Sequence, residues 1–347
     1  MERLSILGDY IDCQLYGNRL YLWTFGGSIR VYDYPKILKY LCGIRARFNQ
    51  DHTCHQYEYE ASQVYISDNE LQHCLLYERD YLTSEFPTGT EVISNRLYET
   101  NAKGLYMSQI PLHDELHPSD QIWDCPLISI SGAQRRGLVC AGGKDGLFWL
   151  PSSTNAQLVL QLSSSHTIEA LFCDIGVYAH SSLKDAYLIK RADGHRYADS
   201  LMADRSLFPA NVFGINHGRC LTWCWKDTFY FADNHSLRVF KFSDLHGALE
   251  QIDQVHFFAW KGDFVSAGSA DCGTVVELDN AICLFDDWEH KDGHCTTISG
   301  SVTRWRFYPR LYAFNNHVHI IFDERLDIVV MGSRQRPMMH YLERFGD

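Results

Sequence analysis

Histidine and cysteine residues, the usual nitrogen and sulfur ligands of zinc, cluster at three places in this chain. The clusters are His52 with Cys54 and His55, Cys220 with Cys224, and His290 with His294 and Cys295. A structural zinc site needs four converging ligands, usually supplied as two close pairs from turns. Cys220 and Cys224 fall in a strand-like run, which keeps two thiols at this spacing apart, so we expect no shared metal there. The first cluster is the best metal candidate, but we predict no bound metal and no other cofactor.

Acid and base groups concentrate in the segment 286–294, whose sequence is DDWEHKDGH. Aspartate and histidine at this density could supply general acid and base groups, or hold a metal, if the fold directs their side chains into a channel. A solvated turn explains the same composition. The chain has no Gly-x-Ser-x-Gly elbow and no Cys-His signature of a nucleophilic enzyme. Its glycines at 142, 143 and 146 lack the Lys-Ser/Thr ending and the helix of a phosphate-binding loop. We therefore predict no catalytic residue.

The charge of the chain makes broad contact with nucleic acid unfavourable. Lys and Arg number 31 against 43 Asp and Glu, so the net charge is −12. Nucleic-acid binding draws on clustered cations that displace counterions from phosphates. Local basic groups exist, and we expect each to lie in a solvated loop: Arg45 with Arg47, Arg135 with Arg136, and Arg304 with Arg306 and Arg310.

The chain shows no signal for a membrane or for secretion. No run reaches the roughly 20 apolar residues of a membrane-spanning helix, and the N-terminal MERLSILGDY has no apolar run of signal-peptide length. The 12 cysteines are scattered, and several lie in strand-like runs, among them Cys140, Cys173, Cys224 and Cys283. These features predict buried, reduced thiols in a cytoplasmic protein.

The elements that position these groups are short apolar runs joined by tight turns. The clearest is LVCAGGKDGLFWL at 138–150, in which two runs too short for stable helices flank a Gly-Gly-Lys-Asp-Gly turn. Glycine and aspartate tolerate the positive φ of a tight reversal. Because both runs are apolar throughout, they predict strands that are buried on both faces.

Variants of this hairpin recur along the chain, and their second strands start at Ser28, Gly104, Gly146, Asp185, Ser236, Ala281 and Leu326. After a longer first step the spacing is roughly forty to fifty residues, which is the range of four-stranded propeller blades. The chain therefore resembles the β-propeller superfamily and is WD40-like in repeat length. It lacks the WD40 dipeptide signatures, because Trp123-Asp124 precedes a Cys-Pro pair instead of ending a third strand.

We predict an all-β fold, a single closed β-propeller over 1–347 with seven four-stranded blades and short helical insertions. The departures from the repeat are an insertion with a helix at 34–60, a loop insertion at 192–205 and a helical tail at 336–347. For the long first step we favour this insertion over an eighth, degenerate blade. The second unit is expected at 64–110, and a short helix at 243–250 with Ser243 as its N-cap. The N-terminal strand should pair with the blade that contains 311–331, since a ring must cover its edges.

Irregular insertions and the lack of catalytic motifs favour a non-catalytic protein–protein interaction scaffold, or a regulatory subunit of a multi-component assembly. Its partners would be other protein subunits, and the candidate partner-binding residues are Arg45, Arg47, Tyr57 and Tyr59 in the first insertion. The alternative is a propeller enzyme, a hydrolase or lyase that uses histidine and aspartate groups in the central funnel. A third hypothesis is a sensor that binds a nucleotide or short peptide in the channel.

Overall fold

β-strands make up most of the regular structure in the computed structural model of this chain. The structure describes residues 2–41, 64–83, 85–110, 117–134, 136–152, 159–182, 185–190, 205–208, 220–243, 248–256, 260–285, 295–309, 311 and 313–331. Within them, helical segments are α1 at 34–41 and the 3-10 helix η1 at Asp68–Cys74. The strands in chain order are β1 (Glu2–Leu7), β2 (Tyr10–Tyr16), β3 (Arg19–Thr24), β4 (Ser28–Asp33), β5 (Val64–Ser67), β6 (Leu75–Asp80), β7 (Gly89–Ile93), β8 (Arg96–Asn101), β9 (Gly104–Gln109), β10 (Asp120–Trp123), β11 (Ser129–Ala133), β12 (Gly137–Ala141), β13 (Leu147–Leu150), β14 (Leu160–Ser163), β15 (Glu169–Cys173), β16 (Gly176–His180), β17 (Ala186–Lys190), β18 (Arg205–Phe208), β19 (Cys220–Trp225), β20 (Thr228–Asp233), β21 (Ser236–Ser243), β22 (Ala248–His256), β23 (Phe264–Ala270), β24 (Gly273–Leu278), β25 (Ala281–Phe285), β26 (Thr296–Ser299), β27 (Val302–Phe307), β28 (His317–Phe322) and β29 (Arg325–Val330).

The described strands form seven sheets, which we number blades 1 to 7. Blade 1 is β2-β3-β4-β6, blade 2 is β7-β8-β9-β10, blade 3 is β11-β12-β13-β14, blade 4 is β15-β16-β17-β18, blade 5 is β19-β20-β21-β22, blade 6 is β23-β24-β25-β26, and blade 7 is β27-β28-β29-β1 with β5 added at its outer edge. First strands of neighbouring blades lie side by side, as β27 does with β2 and β2 with β7. These strands form the inner wall of a ring. The predicted all-β propeller with seven four-stranded blades is confirmed.

Apolar side chains from neighbouring blades pack together to form the core. Between blades 3 and 4, Val139 and Trp149 share one buried cluster with Val177 and Tyr187. All residues of β12 and β13 are buried, as the apolar hairpin predicted, because each central strand has another sheet on either side. Burying one large apolar side chain contributes about 1.5–3 kcal/mol, so these layers hold the ring together.

The N-terminal strand closes the ring, and this prediction is confirmed. β1 runs antiparallel to β29, with Ile6 opposite Leu326. Blade 7 thus combines three strands from the C-terminal part of the chain with one from its beginning. Closure covers an edge that would otherwise expose backbone donors and acceptors. The buried Ser5 adds a polar contact, since its hydroxyl donates to the Asp327 carboxylate over 2.5 Å.

The long first step contains an insertion rather than an eighth blade in the described part of the chain. Helix α1 packs against blade 7, and its buried Tyr34, Ile37 and Leu41 share a cluster with Leu4 and Ile328. Beyond 42–63, which lie outside the described residues, β5 runs parallel to β1. None of the helices described is long and apolar enough to cross a membrane. The bounds 34–60, 192–205 and 336–347 stay predictions.

The predicted second unit at 64–110 is wrong in its first half. Val64–Ser67 adds to blade 7 and Leu75–Asp80 forms the outer strand of blade 1. Blade 2 therefore begins at Gly89. The physical reason is that the insertion separates the third strand of blade 1 from its fourth, so spacing along the chain no longer reports the blade boundary.

The predicted helix at 243–250 is also wrong. Ser243 ends β21 and lies opposite Ala248, the first residue of β22, which continues through Glu250. Cross-strand pairing satisfies the backbone groups on both sides of this hairpin. That pairing outweighs a local N-cap signal, because intrinsic helix preference is weak compared with tertiary pairing.

Candidate interaction surface

Asp12 of β2 is the centre of a buried charge cluster that joins three blades. Its carboxylate accepts from Arg306 Nη2 at 2.6 Å and Nε at 2.8 Å, from Arg304 Nη1 at 2.9 Å, and from Thr90 Oγ1 at 2.7 Å. Burial opposes ionisation of Asp12, but the guanidinium charges and the hydrogen bonds from Arg306 and Thr90 outweigh it and hold the pKa below its usual range. Because the partners lie on β27 and β7, the cluster ties blade 1 to blades 7 and 2.

Arg304 and Arg306 are therefore not the solvated loop residues that we predicted. Both lie in β27, and their side chains are 33% and 19% exposed. Alternate residues of a strand share one face, so the two arginines point to the same side of β27. Trp305, which lies between them in the sequence, points to the opposite side. That face meets Asp12, a buried carboxylate that the sequence pattern did not single out.

Carboxylates inside the ring also accept hydrogen bonds from tryptophans of neighbouring blades. Trp23 Nε1 in blade 1 donates to Glu99 in blade 2 over 2.7 Å. Trp305 Nε1 in blade 7 donates to Glu277 in blade 6 over 3.0 Å. A buried indole N–H needs such a partner. These acids therefore serve to join blades.

Two histidines of β28 lie in the core and not in a funnel. His317 Nδ1 is 2.7 Å and His319 Nε2 is 2.8 Å from the Tyr34 hydroxyl, and His319 Nδ1 is 3.1 Å from the Tyr308 hydroxyl. Burial lowers the pKa of His317 to about 3 and that of His319 well below its usual range. Both imidazoles are thus neutral and link α1 to blade 7.

The other predicted residues fall in three groups. In the first group, Cys220 and Cys224 lie in β19, as their apolar surroundings predicted. In the second, the basic residue Arg136 donates to the Cys173 carbonyl over 2.5 Å. No group of His, Cys, Asp and Glu within the described ranges could hold a metal ion. The residues outside those ranges are His52, Cys54, His55, Arg135, Arg310, the segment 286–294, and the candidate partner-binding residues Arg45, Arg47, Tyr57 and Tyr59.

Two exposed phenylalanines lie together on one face of the ring. In each antiparallel blade, the loop between the second and third strands and the loop to the next blade lie on the same face, which we call the upper face. Phe25 and Phe86 lie in these two loops of blade 1 and are 50% and 56% exposed. Their rings meet edge to face with centroids 5.9 Å apart. The ring centroid of Tyr81 lies 6.2 Å from that of Phe86. We call Phe25, Tyr81 and Phe86 the aromatic patch.

Backbone hydrogen bonds hold the loop that carries Phe86. The Tyr81 N–H donates to the Gly27 carbonyl over 3.1 Å. The N–H groups of Leu82 and Thr83 donate to the buried Glu99 carboxylate over 2.8 and 3.2 Å. A loop that is fixed in this way presents its side chains at a lower entropic cost when a partner binds.

Acidic residues lie in the loops next to the aromatic patch. The Phe25 N–H donates to the Asp9 carbonyl over 3.1 Å, which places the β1–β2 loop beside the patch. Glu85 forms an ion pair with Lys103 over 2.7 Å. Further exposed carboxylates form no ion pair with another described residue: Asp9, Asp80, Asp323 and Glu324. The exposed rings thus have acidic residues in the loops beside them, which we call the acidic rim.

Sequence reasoning missed this surface. Its signal was an aromatic residue inside a turn of otherwise small residues, as in Thr24-Phe25-Gly26-Gly27, and a second one between Glu85 and Pro87. A phenylalanine in a turn has no sheet to pack on, so its presence there indicates exposure.

Glu99 should make the stability of the ring depend on pH. Burial raises the pKa of Glu99 to about 7, although hydrogen bonds from Trp23, Thr83 and Leu82 act in the opposite direction. Below that value the folded chain holds a proton that the unfolded chain releases near 4.5. The free energy of unfolding should therefore fall, by about 3 kcal/mol, as pH rises between these two values.

Urea unfolding of wild type and Glu99→Gln across this pH range measures the effect. Because glutamine does not titrate, the stability of wild type relative to Glu99→Gln should fall by about 3 kcal/mol as pH rises from 4.5 to about 7, while the exposed Glu85→Gln control should follow wild type. Parallel profiles of wild type and Glu99→Gln would show that Glu99 does not titrate in this range.

Comparison with known proteins identifies the fold. No family model matches the chain, and no curated protein matches it. Among solved structures, the β-propeller domain of Cps50 (Swd1) from Myceliophteria thermophila has a TM-score of 0.55 at 7% identity and covers 92% of this chain and 96% of that one. Kluyvelomyces marxianus Hsv2 gives 0.45 at 10% identity over 73% of this chain and 75% of that one, and human WBSCR16 gives 0.44 at 8% identity over 72% and 77%. The chain is a β-propeller, similar in fold to the Cps50 domain.

Proposed function

We propose that this chain is a non-catalytic protein–protein interaction scaffold, a subunit of a multi-component assembly. The observation that carries the proposal is the contrast between the ring interior and the upper face. Inside the described ring, carboxylates such as Asp12, Glu99 and Glu277 accept bonds that join blades. On the upper face, the Phe25 and Phe86 side chains are exposed, and hydrogen bonds fix the loop that carries Phe86. Exposed apolar groups with a polar rim are typical of protein-binding surfaces.

The fold suits this role, because rigid sheets fix the loops that a partner would contact. Similarity to the Cps50 propeller domain supports the architecture, and fold alone does not assign function. We also propose a cytoplasmic location, which the buried thiols support. Cys13 and Cys140, for example, are fully buried, and burial raises the pKa of Cys13 to about 12. Such thiols behave as small apolar side chains.

The enzyme alternative requires acids or imidazoles that face a substrate. In the described part of the ring, Asp12 faces two arginines, and His317 and His319 are buried against tyrosines. These groups bond to other side chains of the protein and do not face a substrate site, so no observation favours a hydrolase or lyase. The segment 286–294, which prompted that alternative, is not among the described residues.

The first insertion stays a proposed second contact. Its candidate residues are Arg45, Arg47, Tyr57 and Tyr59, which combine cations with amphipathic rings, a composition that is enriched at interfaces. Replacing all of them by alanine should weaken partner recovery without changing the unfolding midpoint. An unchanged recovery would remove the insertion from the interface.

Affinity purification of the tagged full chain from its native cell tests the scaffold proposal. We expect one or more proteins in stoichiometric amounts, identified by mass spectrometry, in eluates that carry no bound metal or small molecule. A chain that elutes alone with a stoichiometric metal or small molecule would contradict the proposal and favour the enzyme.

A further inference from the structure

We propose that the aromatic patch and its acidic rim bind a basic segment of a partner protein, in which lysine or arginine residues flank an apolar anchor. This inference rests on the proposed function and names the partner chemistry of the same surface. It follows from the exposed rings, from the charge around them and from the way the loop is held.

The exposed rings favour a partner that carries an apolar anchor residue. Phe25 and Phe86 are half exposed and meet edge to face, which leaves part of each ring open to solvent. Covering this area with a leucine, methionine or aromatic side chain removes apolar surface from water, which favours binding. Tyrosine, tryptophan and phenylalanine are also enriched at the cores of protein interfaces.

The acidic rim favours a partner with positively charged residues. Asp9, Asp80, Asp323 and Glu324 are exposed and form no ion pair with another described residue. The nearby cations are already paired, Lys103 with Glu85 and Arg304, which donates to the Thr88 carbonyl of the same loop, with Asp12. The local charge is thus negative, in a chain whose net charge is −12. Lysine or arginine on either side of the anchor would meet these carboxylates. Complementary charge speeds encounter and selects the partner.

A second copy of this chain does not match the surface. Two identical acidic rims would face each other in an isologous contact, in which each copy uses the same patch. Like charges that are brought together at an interface oppose association. The charge therefore favours a different protein over self-association, and also over nucleic acid, whose phosphates the rim would repel.

The surface is held in place before a partner arrives. Glu99 accepts from the backbone of Leu82 and Thr83 and from the Trp23 indole of blade 1. The loop with Phe86 is thus fixed to the interior of both blade 1 and blade 2. Loosening this contact by Glu99→Gln should weaken binding, although Glu99 is buried and touches no partner.

Selection from a random peptide library displayed on phage tests the inference. The full-length chain is the target, and binders to the Phe25→Ala/Phe86→Ala variant are removed first. We expect enriched peptides that are rich in lysine and arginine around one apolar residue. Enrichment of acidic or uncharged peptides, or no enrichment over the variant, would overturn the inference.

Synthetic copies of the selected peptides then separate the two parts of the surface. Phe25→Ala/Phe86→Ala should lower affinity at least about tenfold, and Asp9→Asn/Asp80→Asn should lower it several-fold and reduce its salt dependence. Matched controls are Leu76→Ala/Ile252→Ala, which removes exposed apolar groups elsewhere, and Asp174→Asn/Asp253→Asn, which removes the same charge from exposed positions in blades 4 and 5. Equal losses in the controls would contradict the assignment to this surface.

This result is independent of the scaffold test. If native purification yields a stoichiometric partner that Phe25→Ala/Phe86→Ala still recovers, the scaffold proposal stands and this surface is excluded. If no partner is recovered, the scaffold proposal itself fails.

Discussion

Replacing Asp12 by alanine is expected to lower the free energy of unfolding by about 3–5 kcal/mol, because it leaves partly buried arginines without their counter-charge. The Asp12 side chain is 3% exposed and bridges β2 to Arg304 and Arg306 of β27. Since its pKa is lower in the folded chain, its contribution is present above the unfolded pKa and is lost as pH falls through the folded value. Denaturant unfolding followed by tryptophan fluorescence measures the loss.

Two further variants separate the charge from the fold. The triple variant Asp12→Ala/Arg304→Met/Arg306→Met should regain part of the stability, because it removes the two arginines that Asp12→Ala leaves without their ion-pair partner. The surface control Glu85→Ala breaks an ion pair whose side chains are 45% and 56% exposed, and it should cost less than about 1 kcal/mol. If Asp12→Ala costs no more than this control, the cluster does not join the blades.

Replacing Ile6 by alanine is expected to destabilise the whole ring by about 2–5 kcal/mol. Ile6 is fully buried in β1, which pairs with β29 on one side and β5 on the other. A cavity at this position weakens the packing of the N-terminal strand against the buried cluster of blade 7. Leu7→Ala, at a position 41% exposed in the same strand, is the matched control.

The measurement is thermal unfolding monitored both by circular dichroism and by tryptophan fluorescence. A single transition that shifts in Ile6→Ala and hardly moves in Leu7→Ala would support closure by β1. A shift in Ile6→Ala that is no larger than the shift in Leu7→Ala would contradict closure through the buried side chain of Ile6.

Repetition made the architecture predictable. Apolar hairpins such as 138–150 carry their own turn and burial signals, so each unit could be recognised locally. Closure by the N-terminal strand followed from the need to cover a sheet edge. The blade 1 boundary could not be read in this way, because the insertion delays β6 and brings Val64–Ser67 onto blade 7.

The candidate surface was much less predictable than the ring. Phe25 and Phe86 are distant in sequence and meet only because β3 ends beside the loop that follows β6. Asp12 gave no signal either, since its role depends on arginines that the fold brings from the far end of the chain. Such pairings arise from tertiary contacts, and no local pattern reports them.

Native mass measurement of the tagged chain, purified from its own cell at low salt, tests whether the chain binds a protein partner through the aromatic patch. We predict that wild type and Leu76→Ala/Ile252→Ala carry a protein partner in whole-number stoichiometry. The Phe25→Ala/Phe86→Ala variant should appear as the single chain with an unchanged unfolding midpoint. A wild-type mass equal to that of the single chain, or a patch variant that keeps the partner, would contradict a scaffold that works through this surface.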